Sequence, residues 1–169
     1  MSDSPNLDIR TFRDVIGRFA TGVTVVTTTD GDSAVGMTAN AVSSVSLDPF
    51  LVLVCVDKLT LAHEHLNDAD GFAVNILAQG QGELSTFFAS TGRGEEGDAM
   101  GGFPYQLSDR GTPLLDGTIG WLDCRPWQRY DGGDHTIVVG EVRGLALTQP
   151  DVDPLLFFAG GYRQLGESI

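Results

Sequence analysis

Lysine, cysteine and long apolar runs are the scarcest features of this 169-residue sequence. No apolar run approaches the roughly 18 residues that a membrane-spanning helix needs. The N-terminus, MSDSPNLDIR, has neither the basic start nor the apolar stretch of a signal peptide. We therefore expect a cytoplasmic protein with no membrane partner. The two cysteines, Cys55 and Cys124, lie in strand-like runs, which favours reduced core residues over a disulfide.

Positive charge is also scarce, since the chain has 23 acidic and only 10 basic residues and a net charge of −13. Lys58 is the only lysine. Such a surface repels nucleic acid and anionic lipid. The composition therefore predicts no nucleic-acid partner. The length favours a single domain, 1–169, that is large enough to bury a real core.

The common nucleotide and metal motifs are absent. No Gly-Lys-Ser/Thr P-loop occurs, and GRGEEG at 92–97 differs from the dinucleotide fingerprint. His63 and His65 are two residues apart on a predicted helix, so they point in different directions and suit a solvated surface. The group Asp131, Asp134 and His135 resembles an ordinary turn more than a metal site. We expect no metal.

Three short helices and six or seven strands account for most of the chain. Asp8 can cap the first helix, in which Ile9, Phe12, Ile16 and Phe19 fall on one face. The strands do not alternate with long helices, so a doubly wound parallel sheet is disfavoured. DGGD at 131–134 lies between two strand-like runs and predicts a hairpin. The chain is expected to be mainly β, a β-barrel with peripheral helices.

Two of the predicted strands bear on function. Residues 49–57, PFLVLVCVD, form an apolar run expected of a strand buried on both faces. Residues 33–47 are interpreted as one strand, with Thr38 and Asn40 on one face and Ser44 and Ser46 continuing it if no bulge intervenes. Hydroxyl and amide groups suit phosphate oxygens, ribityl hydroxyls and the polar edge of a flavin ring. A solvent-facing polar strand is the alternative.

Several blocks in fixed order resemble the short-chain flavin reductase family, the reductase partners of two-component flavin monooxygenases. The resemblance runs from about Phe12 to Leu165. The blocks are, in order, FRDVIGRFATGVTVVTT, GMTANAVSSVSLDPFLVLVCVD, FAVNILAQGQGELSTFFA, GDHTIVVGEV and PLLFFAGGYRQL. The resemblance implies an FMN-binding split β-barrel, a Greek-key antiparallel fold that is usually a homodimer. It also implies reduction of FMN or FAD by NADH or NADPH, supplied to a partner monooxygenase.

The same resemblance nominates site residues by matching blocks. The residues matched to ribityl and phosphate contacts are Thr38, Ala39, Asn40 and Ala41. The residues matched to the approach of the flavin ring are Ser44, Val45 and Ser46. The loop beside the flavin nominates Cys55, Val56, Asp57 and Thr60. The phosphate end nominates Phe88, Ser90 and Arg93. The block GDH nominates His135, matched to the nicotinamide, and Tyr162 matches a residue that borders the same cleft.

Several alternatives stay open. His135 could instead tie the hairpin end to a neighbouring strand. A pyridoxine phosphate oxidase would need a basic pocket, and this chain is poor in Lys and Arg. A ferric-chelate reductase that uses flavin, and a non-catalytic flavin carrier or redox sensor, are further readings. The apolar surface of 49–57 and of PLLFFAGGY at 154–162 favours a homodimer, since one small barrel does not easily hide it.

Overall fold

The computed structural model describes residues 7–30, 33–90 and 98–168. Its three helices are α1 (Ile9–Ile16), α2 (Leu61–Asp68) and α3 (Gly82–Ala89). Its strands are β1 (Thr21–Gly22), β2 (Thr24–Asp30), β3 (Ser33–Ala39), β4 (Val42–Leu47), β5 (Phe50–Asp57), β6 (Phe72–Ile76), β7 (Tyr105–Leu107), β8 (Pro113–Leu115), β9 (Gly120–Gly132), β10 (His135–Leu147), β11 (Leu156–Phe158) and β12 (Gly161–Arg163). The predicted mainly β class is confirmed. Among the described residues, no helix has the length and apolar character needed to cross a membrane.

The main sheet has seven strands in the order β3-β2-β6-β9-β10-β5-β4, and every pairing in it is antiparallel. Its two edge strands, β3 and β4, are consecutive in the chain and are joined only by Asn40 and Ala41. The Cα atoms of Ala39 and Val42 are therefore at most about 11 Å apart. The sheet must therefore curl until its two edges approach each other at this connection. We call the connection, Asn40 and Ala41, the crossing.

The prediction of one strand over residues 33–47 is wrong. The chain leaves β3 at Asn40 and enters β4 at the opposite edge of the sheet. A register shift between Ser44 and Ser46 further breaks the alternation within β4. The two serines therefore do not continue the face of Thr38, because face alternation holds only along one uninterrupted strand.

Strand β5 is buried on one face of this chain and not on both, which corrects the second strand prediction. Val52, Val54 and Val56 point into the core, and the residues between them are half-buried. On that other face Leu53 lies directly opposite Val139 of β10. The continuous apolar run thus supplies a second apolar surface on the outside of the curled sheet.

The predicted hairpin at 131–134 is confirmed. Strands β9 and β10 pair from Gly132 opposite His135 onward, so Gly133 and Asp134 form the turn. Gly133 has φ +82°, a conformation that favours glycine. The pairing of β10 with β5 then places His135 opposite Asp57.

Two apolar clusters fill the interior. The first lies inside the curled sheet, where α2 contributes Ala62 and Leu66. The second lies under α3, which contributes Leu84 and Phe88. A Cβ on Gly36 would lie 2.8 Å from the Phe88 ring, so glycine lets α3 approach β3 closely.

Helix α1 forms as its pattern predicts, but its apolar face is uncovered. Asp8 is the N-cap, and its carboxylate accepts a hydrogen bond from Thr11 N at 2.9 Å. No residue of α1 is buried, and the Phe12 side chain is 63 % exposed. Phe19, beyond the helix end, is exposed as well. An amphipathic pattern predicts a covered face, and within the described residues of this chain nothing covers it.

Thr60 is the N-cap of α2, as its sequence position predicts. Its hydroxyl accepts a hydrogen bond from His63 N at 3.2 Å. Replacing Thr60 with alanine should lower the free energy of unfolding by about 1 kcal/mol, because the first turn loses its cap. Urea unfolding measures this loss, and Thr60→Ser is the matched control that keeps the hydroxyl. Equal losses in the two variants would show that the cap bond contributes nothing.

Candidate functional site

A cavity of about 350 Å³ opens where the two sheet edges approach each other. We call it the cleft. Its lining consists of residues 35–41, Cys55, Asp57, residues 59–62, residues 88–90, Ala99 and His135. Ligand sites commonly measure about 300–1,000 Å³, so the cleft can hold a large part of a nucleotide-sized ligand.

The wall formed by β3 and the crossing carries small polar side chains. The Thr38 hydroxyl donates a hydrogen bond to the Ser85 carbonyl of α3 at 2.7 Å. Its donor is therefore occupied, and its oxygen remains available only as an acceptor. Asn40 and Ala41 are exposed at the crossing, where the Asn40 amide can both donate and accept. This wall suits a ligand that carries hydroxyl groups and a flat ring, since the ring can approach the backbone of the wall closely.

The turn before α2 is held by its own side chains. The Asp57 carboxylate accepts a hydrogen bond from Leu59 N at 2.9 Å. The Thr60 hydroxyl donates to the Asp57 carbonyl at 2.8 Å while it caps the helix. The first residues of α2 therefore reach the cleft in a fixed position. A helix N-terminus carries partial positive charge and favours an anionic group.

His135 enters the cleft from the hairpin. Its Nδ1 lies 2.7 Å from Oδ1 of Asp134, and the side chain is 40 % exposed. This hydrogen bond, together with the charge of His135, holds the pKa of Asp134 below its ordinary value. When Nδ1 donates to that carboxylate, Nε2 is the ring atom left for a ligand.

The cleft holds groups that bind and orient rather than groups that attack. Burial raises the pKa of the Cys55 thiol, so this half-buried cysteine is protonated at neutral pH. Burial raises the pKa of Cys124 to about 12, and that thiol lies in the core. Within residues 7–30, 33–90 and 98–168, no group of three or more metal-ligating side chains is arranged around a common point. Such a site fits chemistry carried by a cofactor.

The structure brings together most of the residues nominated from sequence. Those that line the cleft are Thr38, Ala39, Asn40, Ala41, Cys55, Asp57, Thr60, Phe88, Ser90 and His135. Lining residues that sequence reasoning missed are, at and after the turn, Leu59, Leu61 and Ala62, and elsewhere Val35, Gly36, Met37, Ala89 and Ala99. The cap signal at Thr60 locates that turn, and apolar side chains beside it carry no chemical signal of their own.

Five nominated residues lie outside the lining. Ser44, Val45 and Ser46 are on β4, and Val56 is fully buried in the core. Tyr162 lies behind α3, where its hydroxyl donates to Ser85 Oγ at 2.8 Å. Arg93, the nominated phosphate contact, lies outside the described residues.

Comparison with known proteins places this chain among reductases. A family model described as a flavin reductase like domain matches residues 16–166. The FMN reductase (NADH) SmoA of Agrobacterium fabrum is 41 % identical over 153 residues, covering 90 % of this chain and 84 % of that protein. The reductase subunit HsaB of a flavin-dependent monooxygenase from Mycobacterium tuberculosis is 37 % identical over 161 residues, covering 94 % and 83 %.

A solved structure shows the same arrangement of strands. The NADH:FAD oxidoreductase SgcE6 of Streptomyces globisporus, in complex with NAD and FAD fragments, superposes with a TM-score of 0.86. It is 38 % identical to this chain, and the match covers 94 % of this chain and 93 % of that one.

Proposed function

The chain belongs to the flavin reductase-like family, and from this premise we propose that it transfers hydride from NADH to FMN or FAD. One observation carries the proposal: the cleft combines a small polar wall, a helix N-terminus and a histidine, and its described lining offers no activated nucleophile. The relatives named above use NADH with FMN or with FAD. NADH is therefore the proposed reductant.

The cleft fits a flavin by size and by donor set. The bound flavin supplies the chemistry by accepting hydride, while the protein supplies orientation and electrostatics. Ala39 and Ala41 allow the backbone to approach a flat ring. The Thr38 oxygen accepts from a ribityl hydroxyl, and the first turn of α2 favours the phosphate. His135 offers Nε2 to the nicotinamide nucleotide rather than moving a proton.

The remaining assignments rest on the resemblance and belong to the same proposal. Ser44, Val45 and Ser46 approach the flavin ring, the Val56 backbone and Tyr162 border the site, and Arg93 contacts the phosphate. The curled antiparallel sheet is proposed to be a Greek-key split barrel in a single domain. The two cysteines are free thiols, which agrees with a reducing compartment, and the cytoplasm is proposed.

A homodimer is part of the proposal. The outward face of β5 carries the half-buried Leu51 and Leu53, and nothing among the described residues covers the apolar face of α1. Exposed apolar surfaces of this kind mark interaction sites. Sedimentation of the purified chain at micromolar concentration should give a dimer. A monomer under those conditions would contradict the assignment.

The proposed electron acceptor beyond flavin is a monooxygenase, since a relative is the reductase subunit of one. The direct test follows NADH oxidation by the purified chain with FMN, with FAD, with ferric chelate and with none of them. Oxidation that requires added or bound flavin is expected. A yellow flavin band that bleaches on adding NADH should accompany it.

The same assay separates the alternatives. Oxidation that depends on ferric chelate as the acceptor would indicate a ferric reductase. A yellow protein that never oxidises NADH, under any of these conditions, would be a flavin carrier and would overturn the proposal.

A further inference from the structure

Lys58, the only lysine of the chain, bonds the turn before α2 to the tip of the β9–β10 hairpin. Its Nζ donates to Oδ1 of Asp131 at 2.5 Å and to the carbonyl of Gly133 at 2.6 Å. Its backbone N–H donates to the carbonyl of Asp134 at 3.1 Å. One residue thus contacts three of the four residues that immediately precede His135.

The same hairpin is also held by α2. Nε2 of His63 lies 2.8 Å from the Thr136 hydroxyl, one residue beyond His135. The segment from Lys58 to His63 therefore contacts the hairpin before and after the cleft histidine. The turn residues of this hairpin are exposed, and the pairing of β10 with β5 begins only at His135, which lies opposite Asp57.

The contact of Lys58 positions the hairpin tip and contributes little to the free energy of folding. Asp131 is 81 % exposed, and exposed ion pairs contribute little to folding. The hydrogen bond from Lys58 holds the pKa of Asp131 below its ordinary value, so this carboxylate is charged at neutral pH. The second bond, to a backbone carbonyl in the turn, fixes the path of the chain itself.

We propose that Lys58 is a positioning residue, which holds the hairpin tip against the turn before α2 and thereby sets the place of His135 in the cleft. Lys58 does not line the cleft, whereas its neighbours Asp57 and Leu59 do. It acts through the hairpin and not by touching the ligand. The catalytic consequence rests on the proposed function.

The first test compares Lys58→Met with Lys58→Arg in steady-state kinetics. Methionine keeps an unbranched side chain as far as the ε position but removes the ammonium group and both of its bonds, and arginine can remake them. Lys58→Met should raise the KM for NADH by about fivefold and leave the KM for flavin within about twofold. Lys58→Arg should stay close to the unmodified protein. Arg10→Met, on exposed α1, is the control for loss of one positive charge.

A double variant tests whether the effect passes through His135. Two residues that act as one unit are not additive. In a chain that already carries His135→Ala, Lys58→Met should add no further change in the KM for NADH. An additive effect would overturn the proposal. So would a rise in the KM for FMN that is absent for riboflavin, since that result would make Lys58 a phosphate ligand.

Hydrogen exchange of the ligand-free protein tests, without reference to activity, whether Lys58 holds the hairpin tip in place. Amides of residues 131–136 should exchange several-fold faster in Lys58→Met and at the normal rate in Lys58→Arg. Unchanged exchange of these amides in Lys58→Met would contradict the proposal that Lys58 holds the hairpin tip. Failure of the proposed function shows itself separately, as an unmodified protein that does not oxidise NADH.

Discussion

Replacing His135 with alanine is expected to raise the KM for NADH by about 20-fold, while the KM for flavin stays within about twofold. The structure gives the reason. His135 stands at the start of β10 with its Nδ1 hydrogen-bonded to Asp134, so Nε2 is the ring nitrogen left for a ligand. Loss of one hydrogen bond that involves a charged group costs about 1.5–3 kcal/mol, which corresponds to this range of affinity.

A second histidine supplies the control for this experiment. His65 is half-buried on α2 and does not line the cleft, so His65→Ala should leave both KM values unchanged. Thermal unfolding of both variants checks that the hairpin still forms. Equal effects of His135→Ala on NADH and flavin would remove His135 from the nicotinamide site. It would then be a residue that merely ties the hairpin to its neighbours.

Local features of the fold could be predicted from sequence. The caps Asp8 and Thr60 act through bonds to amides three residues away, so a short window contains all the necessary information. The hairpin at 131–134 follows from its glycine-rich turn between two strand-like runs. Elements specified by near neighbours were therefore predicted correctly.

Features that depend on distant strands could not be predicted in this way. The break at Asn40 and Ala41 looks like continuing strand, because both flanking segments are extended and nothing local marks the change of edge. Only the pairing of β3 with β2 and of β4 with β5 decides it. For the same reason, periodicity alone could not show that the described residues leave one face of β5 only half-buried.

The candidate site also combines features that the local sequence predicts with features that depend on the tertiary structure. Hydroxyl and amide groups at Thr38 and Asn40 suggest a binding surface, but composition alone does not distinguish it from a solvent-facing polar strand. The tertiary structure decides where they lie, since α3 and the turn before α2 close the cleft around them. His135 reaches the same cleft from a part of the chain about a hundred residues away in sequence, brought there by the pairing of β10 with β5.

The second large effect is expected at Ala41, where a tryptophan should weaken flavin binding by about 100-fold, or about 2.7 kcal/mol. Ala41 is exposed at the crossing, it lines the cleft, and its carbonyl accepts a hydrogen bond from Cys55 N at 3.0 Å. That backbone bond survives the substitution, whereas an indole side chain occupies the space that a flat ring requires. The dissociation constant follows from the quenching of flavin fluorescence.

Ala41→Ser is the matched control, because serine stays small and should leave the flavin dissociation constant within about twofold. Both variants should unfold within about 0.5 kcal/mol of the unmodified protein, as expected for an exposed position away from the core. A flavin dissociation constant unchanged by tryptophan would mean that the ring binds elsewhere. A loss of binding in Ala41→Trp alone, with stability intact, would locate the flavin against the crossing between β3 and β4, where small side chains let the backbone approach it.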